Sequence, residues 1–251
     1  GILEKRFGTR HPDLPRMLNG LALQLHEVGE MSEARTRFVA SLQLSNEIFG
    51  PNHPDSALTW FNLASLEMDE KRLVEAMDGY MRTAALSIAA GRPETLWTAL
   101  SGMREVSVRM NERDAAIFYG KLAVNVLQDL RRNVSALGDA ASKSFLGGEK
   151  TYAYRALADL LIEAGRISEA QQVLAMLKEE EYFEFIRRDE NGRKSPSRAG
   201  FGVIEQDKAD RYSAAGRRLE LAYSPYARLR AVAPADAPAV RLAELDKARL
   251  V

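Results

Sequence analysis

The chain has no cysteine among its 251 residues. That absence excludes disulfides, thiolate metal sites and a cysteine nucleophile. Histidine is scarce, with only His11, His26 and His53. Net charge is missing as well: 35 lysines and arginines balance 35 aspartates and glutamates. No bulk field therefore draws nucleic acid or an anionic membrane. The apolar runs fall far short of the ~20 residues a membrane helix needs. No signal-peptide pattern opens the chain. The expectations are a cytoplasmic protein with no nucleic-acid partner, no membrane, no metal and no cofactor. The chain begins at Gly1 and reads as a piece of something longer.

What is present is a repeat. The phrase FGTRHPD at residues 7–13 returns as FGPNHPD at residues 49–55, an offset of 42. The offset carries Leu21-Ala22 onto Leu63-Ala64, Glu33-Ala34 onto Glu75-Ala76, and Phe38 onto Tyr80. Within each unit one alanine follows another by twelve, and the same step separates Ala158 from Ala170. A weaker copy places Met103 twelve before Ala115, with Tyr119 in the aromatic position. The physical meaning is a helical hairpin. A small residue on each helix lets two backbones approach, and larger residues such as Trp60, Leu63 and Tyr80 fill the surrounding space. The predicted turns are Glu27-Val28-Gly29-Glu30, Met68-Asp69-Glu70-Lys71 and Glu163-Ala164-Gly165-Arg166.

The duplicated His-Pro-Asp invites chemical readings. A metal site fails on distance, since equivalent residues of stacked repeats stand a repeat width apart while metal bonds are ~2 Å long. A J-domain signature is a single tripeptide, and here there are two. The remaining reading is punctuation: glycine ends one helix, proline opens the next, and Asp13 or Asp55 meets the positive end of that helix. Carboxylate runs such as Glu179-Glu180-Glu181 lack a basic partner at fixed spacing and read as solvated faces. Gly147-Gly148 lacks the Lys-Ser/Thr that a phosphate loop requires. No catalytic constellation is present, so no enzyme is expected within this chain.

The pattern Trp60-x2-Leu63-Ala64…Ala76-x3-Tyr80 resembles the tetratricopeptide repeat (TPR), as does Tyr154-x2-Leu157-Ala158…Gly165…Ala170-x3-Leu174. The 42-residue unit is similar to the long variant found in kinesin light chains. The resemblance implies an all-α superhelical solenoid of antiparallel helix pairs. The expected layout is a TPR array over 1–189, with a partial repeat at 1–10 and about four hairpins. A mobile linker follows at 190–203, then a helical extension at 204–251 leading to a missing domain. In that extension Pro225 is expected to stop one helix, and residues 239–250 to form another. A narrower resemblance lies in GRISEAQQVLAMLKEEEYFEFIRRD, residues 165–189, preceded by TYAYRALADLL, residues 151–161. These are similar to the stretch before the peptidase domain of bacterial CHAT proteins, which join TPR arrays to a caspase-like peptidase. With no cysteine here, no catalytic residue is carried over.

In the TPR family the first helix of each repeat lines a concave groove that binds a protein or peptide. Matching positions imply Arg16, Asn19 and His26 in repeat one, and Phe61, Asn62 and Ser65 in repeat two. They imply Trp97 and Arg104 in repeat three, and Tyr152, Arg155 and Asp159 in repeat four. Asparagine in such a groove can hold a peptide backbone through paired donor and acceptor. The first helices of repeats one and two contain no lysine, which argues against a carboxylate-clamp ligand. The function implied is an interaction scaffold controlling a peptidase domain in cis; the alternative is a stand-alone kinesin-light-chain-like adaptor.

Overall fold

A computed structural model describes residues 11–50, 52–135, 148–185 and 198–232. Among the described residues every regular element is helical. The helices are α1 (Leu14–Glu27), α2 (Met31–Phe49), α3 (Ala57–Asp69), α4 (Leu73–Ala89), α5 (Pro93–Arg109), α6 (Arg113–Ser135), α7 (Gly148–Glu163), α8 (Ile167–Phe185) and α9 (Val203–Val232). A 3-10 turn, Pro54–Ser56, leads into α3. The chain divides into two units: Gly1–Thr95 with Ser213–Val251, and Leu96–Tyr212.

In the first unit α1 packs on α2, α2 on α3 and α3 on α4. The predicted alanines are the contact points: Ala22, Ala34, Ala64 and Ala76 have no exposed surface. Phe38, Leu42, Leu63 and Leu66 close around the first pair. The period of 42 is also written in hydrogen bonds. The Ser41 hydroxyl donates to the Pro15 carbonyl at 2.7 Å, and Thr83 donates to the Ala57 carbonyl at 3.3 Å. Each pair ties the middle of a second helix to the start of its first, so the repeated sequence reproduces a repeated contact.

The hairpin turns close by one geometry. Glu30 N–H donates to the Leu25 carbonyl and Gly29 N–H to the His26 carbonyl. The same two bonds recur at Arg72 and Lys71, at Glu112 and Asn111, and at Arg166 and Gly165. This is the Schellman end, which needs one residue at positive φ. Gly29 and Gly165 supply it freely, whereas Lys71 and Asn111 adopt φ near 60° as non-glycine residues. All three predicted turns are therefore present. The third repeat forms the same way, but its register differs from the sequence expectation. Ala116, not Ala115, is the fully buried alanine of the first turn of α6. Its turn residue Asn111 follows Lys71 by 40, whereas pairing Met103 with Ala115 sets the repeat 39 residues after Ala64 and Ala76.

In the second unit α6 packs on α7 and α7 on α8. Tyr154, Leu157 and Leu161 of α7 are fully buried among Ile117, Leu127 and Met176. Ala199 joins this core from outside the helices. Residues 198–200 of the expected linker carry hydrogen bonds to α6, while its residues 190–197 lie outside the described residues. One expectation is corrected here. Ser224-Pro225 does not stop a helix, because α9 continues to Val232. An internal proline costs a helix about 3 kcal/mol, which a long helix can absorb. The partial repeat at 1–10 and the expected helix at 239–250 lie outside the described residues.

Candidate functional site

The His-Pro-Asp phrase settles into capping. His53 Nδ1 accepts a hydrogen bond from Asp55 N–H at 3.2 Å, and His11 Nδ1 accepts from Asp13 N–H at the same distance. The His53 ring therefore does the work that a serine or aspartate usually does at a helix start, whereas the His11 ring closes the turn before α1, which has no side-chain cap. The His53 ring also stacks on Phe49, with centroids 4.6 Å apart. Arg92 donates to the Asp55 carboxylate at 2.7 Å, fastening this junction to the end of the second repeat. Pro12 precedes α1 rather than opening it, while Pro54 opens the 3-10 turn. Sequence reasoning placed Pro54 and Asp55 in a helical first turn but set Pro12 and Asp13 one step too far into α1, and it missed His53 as a cap.

The predicted first-helix residues of unit one are brought together, though mostly to each other. Asn62 Nδ2 donates to Asn19 Oδ1 at 3.1 Å, and both residues are largely buried (7% and 6% exposed). This amide pair stitches α1 to α3. His26 Nε2 lies 2.8 Å from Asp69 Oδ2 on α3. Ser65 donates to the Phe61 carbonyl at 3.1 Å, and its hydroxyl lies 3.2 Å from that of Tyr80. Phe61 is half-buried, edge-on to Tyr80 at 5.5 Å. Arg16 stands exposed beside Asp13. Beneath them lies a network that the sequence did not announce. The buried Glu67 carboxylate pairs with Arg35 and Arg72, while Arg35 also meets Glu70.

Unit two separates its candidates more sharply. Trp97 is a core residue, packed with α6 and α7. Arg104 is also buried (5% exposed), its guanidinium 5.4 Å from the centre of the Tyr152 ring. Tyr152 itself is 56% exposed. Arg155 and Asp159 are exposed on the same helix, one and two turns further along. The opposite side of α7 is the apolar face that carries Tyr154, Leu157 and Leu161. Thus α7 offers an aromatic, a cation and an anion in one line, braced from beneath by Arg104.

The polar heart of unit two lies elsewhere, on α6 and α8. Lys121 is 1% exposed and meets Glu169, Glu205 and the Gly200 carbonyl. Arg166 bonds both Glu169 and Glu205. Burial works against charge on Glu205 and is its largest single influence. Hydrogen bonds from Arg166, Lys121 and the Gly202 N–H, with the Lys121 charge, outweigh it and hold the carboxyl at about 2. Glu169 is lowered in the same way, burial being overcome by Arg166 and Lys121. Lys121, Asn125 and Gln128 recur at helical spacing on an otherwise apolar face, and that stripe was the available sequence signal. No group of three or more candidate metal ligands occurs among the described residues. No helix among them is long and apolar enough to cross a membrane.

The family comparison decides what the hairpins are: residues 13–89 match the tetratricopeptide repeat family. Residues 13–89 are tetratricopeptide repeats. The match spans repeats one and two, where the 42-residue period is strictest. A curated relative is the clustered mitochondria protein homolog of Emericella nidulans, 35% identical over 78 residues. Those residues are 30% of this chain and 6% of that protein, so the chain spans a small fraction of its relative. Two crystal structures of nearly identical TPR-like repeats, from a candidate kinesin light chain of Podosopora anserina, share the fold. They give TM-scores of 0.51 and 0.50 at 16% identity, over 72% of this chain and 81% of theirs. The all-α TPR-like solenoid fold is thereby established. TPR repeats are protein–protein interaction modules. Nothing in these comparisons supports the CHAT resemblance.

Proposed function

We propose that this TPR protein is an interaction scaffold that binds a protein or peptide partner through the first helices of its repeats. The observation that carries the reading is the α7 stripe: Tyr152 exposed over the buried Arg104 guanidinium, with Arg155 and Asp159 on the same face. An aromatic ring held by a cation below loses little freedom when it docks, which is the character of an interface anchor. The paired charges beside it can read a partner's own charges and fix its orientation. In unit one the exposed Arg16 and half-buried Phe61 are the corresponding candidates. Asn19 and Asn62 support the surface by joining α1 to α3. The reading needs no chemistry from the chain and places it in the cytoplasm.

The test is partner capture followed by quantitative binding. Tyr152→Ala should weaken the identified partner by about tenfold or more, as truncating an interface anchor does. The folded variant should keep its helicity. Unchanged affinity for Tyr152→Ala together with Arg155→Ala would move the site off α7. The finer reading, control of a caspase-like peptidase domain in cis, rests on residues 165–189 and on the sequence resemblance there. Its test is the intact reading frame: a peptidase domain whose activity changes when Tyr152 is replaced supports it. A frame without one leaves the stand-alone adaptor.

A further inference from the structure

Residues 199–205 are held against α6 and α8 as a bound peptide would be. Asn125 Nδ2 donates to the Ala199 carbonyl at 3.2 Å, and the Ala199 N–H donates to Asn125 Oδ1 at 2.8 Å. This paired contact reads a backbone and is indifferent to the side chain it carries. Lys121 Nζ donates to the Gly200 carbonyl at 2.6 Å and to Glu205 Oε2 at 2.7 Å. Arg166 completes the carboxylate contact at 2.7 Å. The Phe201 ring lies 5.9 Å from that of Phe118 and 5.9 Å from the Lys121 ammonium. Phe118, Lys121 and Asn125 are spaced three and four apart on α6, so one helix face carries the aromatic, charge and backbone contacts.

The segment itself contributes little apolar burial. Ala199 is buried, but Gly200, Gly202 and Val203 are exposed. Polar contacts hold it, and another peptide can supply the same ones. A buried lysine of this kind also needs its acceptors, because an unpaired charge in such a place is costly. The face is therefore built to stay occupied.

We infer that α6 and the start of α8 form a peptide-recognition site filled in cis by residues 199–205. Its ligand in trans is a peptide with a small residue, a glycine and an aromatic in succession, whose chain then enters a helical turn carrying a carboxylate four residues after the aromatic, as Glu205 stands in the first turn of α9. Tethering gives the cis segment an effective concentration in the millimolar range, so a free peptide competes poorly until the segment is released. The site uses none of the residues of the α7 stripe, and it stands or falls independently of that surface.

The test uses the full chain and a labelled peptide of residues 198–206, RAGFGVIEQ, followed by fluorescence anisotropy. A released variant carries Ala199→Pro and Glu205→Gln, which remove the segment's backbone donor and carboxylate while sparing α6. It should bind the peptide at least about tenfold more tightly than the unmodified chain, the advantage lost by the tether. Adding Asn125→Ala should abolish that gain, as should a Gln in place of the peptide's Glu. A released variant with unchanged helicity and no gain in affinity overturns the inference. Hydrogen exchange on the unmodified chain gives an answer that needs no variant. The Ala199 amide should exchange well before the amide of Leu127 in α6. Equal protection of the two would make the segment a fixed part of the fold and overturn the proposal.

Discussion

Gly79 on α4 faces Ala64 on α3 so closely that a β-carbon added to the glycine would lie 2.8 Å from the alanine's own. The Trp60 carbonyl, 3.3 Å away, blocks the other direction. Both obstacles are rigid, so the two backbones approach here more closely than a side chain at residue 79 allows. Gly79→Ala gains helix propensity of about 1 kcal/mol but meets an overpacking cost of about 1–3 kcal/mol. A net loss is expected in chemical denaturation. Gly120 on α6 gives the contrast. Its added β-carbon would meet Leu157 Cδ1 at 3.0 Å and Arg104 Cδ at 3.4 Å, side-chain atoms that need give only a few tenths of an ångström. Gly120→Ala should stay within about 0.5 kcal/mol of the parent. If the two variants proved equally stable, close approach at Ala64 would not be what fixes this hairpin.

The capping assignment for histidine separates two substitutions. His53→Ala removes the acceptor for Asp55 N–H and the stack on Phe49, and should cost about 1 kcal/mol or somewhat more. His53→Asn restores a side-chain acceptor at the same position and should recover part of that loss. Thermal melting of the three proteins checks the order. An asparagine variant no better than the alanine variant would leave the ring's packing, and not its hydrogen bond, as the reason for histidine.

Asn19 and Asn62 are coupled in a way a double-mutant cycle can measure. Each single alanine variant should lose about 1 kcal/mol, because it strands the partner amide in a largely buried place. The double variant should lose less than the sum by about 0.5–1 kcal/mol. Strict additivity would show that the two amides stabilise the repeats separately.

Acid should weaken the second unit through Glu205. In the unfolded chain this carboxyl titrates near its ordinary value of 4.5, whereas in the fold it is held at about 2. As pH falls through 4.5 the unfolded state takes up the proton first. The stabilisation is complete above 4.5 and is lost between there and about 2. Glu169 acts in the same direction. A Trp60→Phe background leaves Trp97, which lies in this unit, as the sole tryptophan reporter. Its melting temperature should fall between pH 6 and pH 3 by more than it does with Glu205→Gln added. Parallel profiles would remove Glu205 from the acid response.

The repeat was legible because it is a local matter. A glycine or a tolerant polar residue at the turn, an alanine on each helix and an aromatic one turn later are all short-range requirements, and they recur at a fixed offset. Ala64 and Ala76 stand out in the sequence because close packing of two helices leaves no room for larger side chains there. The third repeat was read one residue out of register for a physical reason. Its turn falls 40 residues after the preceding one, and Arg104 with Gly120 replaces the usual small and large partners. The candidate surface was legible only by position. Helical spacing put Asn62, Trp97 and Arg104 where a groove residue belongs, but spacing carries no information on what a long side chain finds to pack against.

Sequence alone thus determined the hairpins, their turns and the solenoid class, since these follow from periodicity and backbone preference within some forty residues. Only the tertiary structure decided which polar side chains are spent on the fold and which face outward. It paired Asn19 with Asn62, sank Trp97 into a core, left Tyr152 exposed above Arg104, and closed Lys121 on Glu205 from 84 residues away. Such pairings depend on desolvation and distance between segments remote in the chain, and neither quantity is written in the order of residues.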